Sequence, residues 1–145
     1  MIFETVYTMT DYWDGPRRGI ADYQGSPHRY ESQFAESEEN NYQDTFLLSP
    51  VQPELFAYAL QDWEIWRRWE SAFHQGKTTI DTHPALPEER EAHERLKAIL
   101  RDRLRLDPNK ILTAQAIFRK REDPTWDQHG WAPLEVCWIT SKTEV

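Results

Sequence analysis

The side chains of this chain that could do chemistry are densest between Thr8 and Ser32, where turn formers, aromatics and both signs of charge run together. Arg17 and Arg18 follow Gly15-Pro16 and precede Gly19. Two guanidinium forks beside a turn could grip a carboxylate or phosphate bidentately, with turn N–H groups assisting. The plainer reading is a charged turn whose local Asp–Arg pairs contribute about 0 to 1 kcal/mol each when exposed. An acid–base reading would pair His28 with Asp22 or Glu31, because imidazole titrates near neutrality and a carboxylate can orient it. No Ser or Cys beside them stands out as a nucleophile, so no catalytic residue is assigned. Trp13, Asp14, Arg17, Arg18, Asp22, His28 and Arg29 are the candidate binding residues.

Other chemistry has weaker signals. A metal site would need His74, His83, His93 and His129 to converge with Glu70, Glu89 or Asp81. Glu89 and His93 do lie one helical turn apart. No HExxH, CxxC or tight His pair is present, and the expectation is no metal and no cofactor. Cys137 alternates within a strand-like run and reads as buried filler. It is the single cysteine, so no internal disulfide can form, and a reducing cytoplasm is the simplest home.

Several elements must position these residues. Residues 2–10 are β-branched and aromatic, with Phe3, Tyr7 and Met9 on one side and Ile2 and Val6 on the other, and predict a first strand. Asp14-Gly15-Pro16 must end or bulge it. Residues 19–24 and 27–34 flank Gly25-Ser26, a two-residue connection that predicts a hairpin. The acidic run 36–41 reads as a solvated loop, and 44–50 as a fourth strand entering Pro50 and Pro53.

Pro53 suits the first position of a helix that should run to Gln75 and stop at Gly76. Phe56, Ala59, Leu60, Trp63, Trp66 and Phe73 make its apolar stripe, widened by Leu55, Trp69 and Ala72. The Trp63, Trp66 and Trp69 ladder reads as core, with stacking of a planar ligand or anchoring of a partner as the alternative. Arg67-Arg68 reads as the solvated face. Pro87 opens a second helix, acidic in its first half and basic in its second, with Ala92, Leu96, Ile99, Leu100 and Leu104 inward and Asp107-Pro108 as its stop. The two helices should pack as an antiparallel pair. Leu112, Ala114, Ala116 and Phe118 alternate and predict a fifth strand, with a helix as the alternative. Residues 133–140, with Leu134, Val136 and Trp138 on one face, predict a sixth. The order ββββααββ implies a single α+β domain over 1–145, an antiparallel sheet of about six strands with two helices packed on one face.

A chain of 145 residues is long enough for one core without staples. Its net charge is −8, and residues 1–50, with nine acidic and three basic side chains, contribute −6 of it. That balance argues against a nucleic-acid surface, which needs clustered Lys and Arg. It suits solubility, or a basic protein partner. No basic start with an apolar run opens the chain, and no segment has the roughly 18 consecutive apolar residues of a membrane span. The expectation is a soluble protein with no membrane partner and no processing at its N-terminus. Seven Trp, six Tyr and six Phe are many for this length. Large rings favour both cores and interfaces.

The segment Asp11-Tyr-Trp-Asp-Gly-Pro-Arg-Arg-Gly-Ile-Ala-Asp-Tyr23, with Asp62-Trp-Glu-Ile-Trp-Arg-Arg-Trp-Glu70, resembles segments of small uncharacterised bacterial proteins; the resemblance implies no activity and assigns no residue. Three functions stay open on sequence. The first is a non-enzymatic binding or interaction protein, such as a regulatory or immunity-type partner, presenting the 11–31 hairpin and its acidic flank to a protein partner. The second is a small enzyme or ligand-binding domain for a small anionic molecule, a nucleotide or phosphoester, in which Arg17 or Arg18, His28 and a carboxylate converge. The third is a structural subunit with an apolar dimer interface. The oligomeric state is not legible.

Overall fold

The computed structural model describes residues 1–12, 15–33, 45–126 and 130–140. The acidic run 36–41 therefore lies outside the described residues, as do Trp13, Asp14 and His129. The chain divides into two compact units: Met1–Val51, Arg105–Arg121 and Leu134–Val145 form the first, and Gln52–Leu104 with Glu122–Pro133 the second.

The first unit holds six strands: β1 (Glu4–Tyr12), β2 (Pro16–Tyr23), β3 (Ser26–Ser32), β4 (Thr45–Pro50), β5 (Leu112–Lys120) and β6 (Leu134–Ile139). Each pairs antiparallel with its neighbour, and β6 returns to β1 through Glu4↔Val136 and Thr5↔Glu135. The expected α+β class and six-stranded antiparallel sheet are present, but the sheet closes into a barrel. An open sheet has one face to cover and two edges to protect; closure removes both edges and turns one face into an interior. The one-face packing of the helices expected for an open sheet thus gives way to a sheet with an inside and an outside.

Alternation fills the interior. Tyr30, Phe46, Phe118 and Trp138 come from four successive strands, and every pair among them is in ring contact, with centroids 5.7 to 6.1 Å apart. Edge and tilted contacts of this kind contribute about 0.5–1.5 kcal/mol each beyond area burial. Leu48 and Val136 are fully buried beside them. Residues 112–120 form a strand with Leu112, Ala114, Ala116 and Phe118 on the inner face, opposite Leu48, Phe46, Trp138 and Val136 in turn.

Strict alternation fails in β1. Val6 pairs with Ala21 and Met9 with Gly19, so two inward residues stand three apart and a bulge lies between them. Phe3, Tyr7 and Met9 therefore do not share a face along the whole strand, contrary to the period-2 reading. At the irregularity the Ile20 N–H donates to Thr8 Oγ1 at 2.9 Å instead of to a ladder carbonyl. Gly19 is where β1 and β2 come closest: a Cβ there would overlap the Thr8 carbonyl oxygen and lie 2.7 Å from the Tyr30 hydroxyl. The Tyr30 hydroxyl uses that space to donate to Thr8 O at 2.8 Å.

The hairpin turn is Gln24-Gly25, one residue earlier than Gly25-Ser26. Both residues have positive φ, 52° and 80°, the mirror-image turn that matches strand twist. The Glu4 carboxylate accepts from both turn N–H groups, at 3.1 and 2.8 Å.

The second unit holds α1 (Pro53–His74) and α2 (Arg90–Arg103), with short 3-10 turns at Ile80–Thr82 and Pro87–Glu89. Pro53 is the first residue of α1 and Gly76, at φ 74°, follows its end, as the cap residues predict. Pro87 opens a 3-10 turn rather than α2 itself, and α2 stops at Leu104, before Asp107-Pro108. Arg103–Glu54, His93–Asp62 and Arg68–Glu89 pairs make the helices antiparallel neighbours. The buried positions of α1 are Leu55, Ala59, Ile65, Trp69 and Glu70, a stripe rotated from the expected one. Ile65 packs with Ala85 and Leu96, flanked by Tyr58 and Ala92. Among the described residues no helix is long and apolar enough to cross a membrane.

Candidate functional site

The hairpin register decides what the 11–31 stretch can do. Arg18 stands opposite Glu31 and Gly19 opposite Tyr30, so Arg17 and Arg18 project to opposite faces of β2. Arg17 lies half-buried on the Tyr30 side, its Nη1 donating to Ser32 Oγ at 3.5 Å. Arg18 is on the outside with its side chain half exposed, 3.8 Å from Glu31, and Arg29 donates to the same carboxylate at 3.1 Å. The two adjacent arginines cannot close on one anion, and the outward position between Arg18 and Arg29 is taken by the chain's own Glu31.

His28 and Asp22 are also parted. His28 pairs with Ala21 and faces the Tyr30 side, buried, with the Tyr23 ring at 5.2 Å and Nδ1 2.8 Å from Ser26 O. A carbonyl accepts only, so Nδ1 is the donor in this bond. Asp22 pairs with Pro27 and points the other way, as does Glu31. The Asp22 Oδ2 accepts from the Tyr7 hydroxyl at 2.9 Å, while Oδ1 is buried with no hydrogen-bond partner among the described residues. Burial, and then the hydrogen bond and negative charge of Asp22, push the Tyr7 hydroxyl up to about 12. The Asp22 carbonyl accepts from Trp138 Nε1 at 2.8 Å. Both groups are fixed, and they do not form an acid–base dyad.

Thr10, Asp11, Tyr12 and Arg18 are the exposed residues at the far end of β1 and β2. Asp11 stands opposite Arg18 and Tyr12 opposite Pro16, which is buried. Tyr12 is 46 % exposed although it belongs to a paired strand. The sequence reading placed Asp11 in the charged stretch but passed over Tyr12; a tyrosine next to the turn that ends its strand was the available signal. Trp13 and Asp14, between Tyr12 and Gly15, fall outside the described residues.

The second unit holds a constellation the sequence reading missed. Glu70 is buried, accepting from Arg67 Nη1 at 2.6 Å and from the Trp131 N–H at 3.2 Å. Arg67 Nη1 also donates to the Trp131 carbonyl at 2.8 Å. Arg67, expected on the solvated face, thus holds a loop residue. Arg68 binds Glu89 through Nε and Nη2. His93, weighed in the sequence only as a metal ligand beside Glu89, is buried with Nδ1 2.7 Å from Asp62 Oδ1. Glu70, Glu89 and His93 each have a partner other than a metal, and among the described residues no group of three or more His, Cys, Asp or Glu could hold one. Cys137 is buried, although it lies on the strand face opposite Val136 and Trp138.

These features define a six-stranded antiparallel barrel unit with a filled interior and a helical unit with a partly exposed tryptophan series. Comparison with protein-family models, with curated proteins and with solved structures gives no match for this chain.

Proposed function

We propose that this is a non-enzymatic binding protein that engages a protein partner through the exposed end of its first hairpin, within the 11–31 stretch. The observation that carries the reading is Tyr12 and Arg18 standing exposed on paired strands of a closed barrel. Tyr and Arg are the residue types, with Trp, that dominate binding hot spots. Strands locked into a closed ladder lose little freedom on association, so less of the contact energy is offset by ordering. Asp11 opposite Arg18 supplies both signs for orienting a partner, and the acidic first third of the chain favours a basic one. The interior supports the same reading from the other side, because four rings in mutual contact occupy the space in which a barrel of more strands would hold a ligand.

The test is capture from an extract of the source cell, with Tyr12→Ala/Arg18→Glu compared against wild type. Lys97→Glu, an equal charge change on the exposed side of α2, serves as control. The hairpin variant is expected to lose a partner that wild type and control retain. An unchanged partner set would overturn the proposal.

A further inference from the structure

In the helical unit the rings of Trp63 and Trp66 stack with centroids 5.0 Å apart and planes inclined by 28°. The Trp131 ring continues the series at 5.4 Å, inclined by 56° to Trp66. Trp63 and Trp66 are half-buried, and Trp131 is 39 % exposed. An exposed tryptophan on a loop is ordinarily free to move, but here its N–H and its carbonyl are both held by charged groups, Glu70 and Arg67. Gly130 completes the clamp: it has φ 101°, and a Cβ there would fall on the Glu70 carboxylate. Burying Glu70 carries a desolvation cost that a loop needing only closure would not require. The result is an indole held in a fixed place with part of its surface open.

Its surroundings select the ligand. Of the described residues 122–126 and 130–133, the charged ones are Glu122 and Asp123, both acidic. From Pro53 to Trp66, α1 carries Glu54, Asp62 and Glu64 and again no Lys or Arg, with Glu54 paired to Arg103 and Asp62 to His93 across to α2. Arg67, which follows Trp66, is neutralised by Glu70 at 2.6 Å. An acidic setting disfavours phosphate-bearing ligands, while the negative face of an indole attracts cations, and a guanidinium stacks on it as well as being attracted to it.

We propose that Trp63, Trp66 and Trp131 form a second binding site, for an arginine side chain of a basic peptide segment of a partner, with the guanidinium stacked on the exposed part of Trp131. The site is carried by the helical unit and is argued from observations independent of the hairpin.

The probe is a fluorescein-labelled peptide of alternating Gly and Arg, with a twin in which citrulline replaces each Arg. Citrulline keeps the planar shape and loses the charge. At an ionic strength of about 0.15 M, where general attraction to an acidic surface is screened beyond about 8 Å, wild type is expected to bind the Arg peptide about 10-fold more tightly than the citrulline twin. Trp131→Ala is expected to lower Arg-peptide affinity about 10-fold and Trp131→Phe to restore part of it. Equal binding of the two peptides, no binding by wild type, or a Trp131→Ala affinity equal to wild type would overturn the site. Should Trp131→Ala fail to fold, Trp131→Phe decides alone: a weaker affinity than wild type supports stacking, and an unchanged one overturns it. Any of these failures leaves the hairpin reading standing, because its variants alter other residues and its readout is a different partner set.

Discussion

Aromatic rings are used in opposite ways by the two units. In the barrel, Tyr30, Phe46, Phe118 and Trp138 touch only inward, and Tyr30 and Phe46 are buried to 1 % exposure or less. In the helical unit, Trp63, Trp66 and Trp131 rise toward solvent, and the buried group beneath them is a carboxylate, Glu70. The barrel rings are held by one another; Trp131 is held by its backbone through Arg67 and Glu70. A ring that serves as core needs neighbours on every side. A ring held by its main chain can keep a side open, and only the second arrangement presents an aromatic surface without unfolding anything.

That contrast can be broken at several points. The largest effect is expected from Gly19→Ala, since the new Cβ meets the Thr8 carbonyl, a backbone atom that cannot swing aside. A loss of about 3 kcal/mol or more, or failure to fold, should appear in urea unfolding. Next is Glu70→Ala, which strands Arg67 and the Trp131 N–H together. A loss of about 2–4 kcal/mol is expected, and because Trp131 is released, its fluorescence should shift while the barrel strands keep their amide protection. Tyr30→Phe keeps the ring and removes only the hydroxyl bond to Thr8 O, so about 1 kcal/mol, or roughly 2–4 °C in Tm, should go. The smallest is Tyr7→Phe, which removes the part-buried hydroxyl bond to Asp22 and should cost under about 1 kcal/mol near neutral pH.

The sign for Tyr7 follows from its folded value of about 12 against an ordinary 10.0. The folded state holds this proton more tightly than the unfolded chain, so the stabilisation is complete below pH 10 and is lost as the pH rises toward 12. Wild type should therefore lose stability faster than Tyr7→Phe between pH 10 and 12. Tyr30, raised further by burial, adds to the same alkaline loss, and Tyr30→Phe should flatten the curve too.

Much of the fold was legible because its signals are local. Pro53 and Gly76 mark α1, and Leu112, Ala114, Ala116 and Phe118 mark β5 by alternation alone. Barrel closure was not, since it depends on Glu4 and Thr5 meeting Val136 and Glu135 across the length of the chain. The β1 bulge escaped because Gly19 forces it from the neighbouring strand. In the candidate site, composition located the hairpin, yet only the register reveals that Arg17 and Arg18 part to opposite faces. In the sequence Glu70 stands only as a possible metal ligand; in the fold it is buried and accepts from the N–H of Trp131, about 60 positions away, and no local pattern encodes that.

The central claim is that the hairpin surface recognises while the barrel interior supports, and it is tested most directly by measuring partner capture and Tm together for Tyr12→Ala and Tyr30→Phe. The account predicts that Tyr12→Ala loses the partner with its Tm unchanged, whereas Tyr30→Phe lowers Tm and keeps the partner. A Tyr12→Ala protein that still captures the partner as wild type does would contradict it.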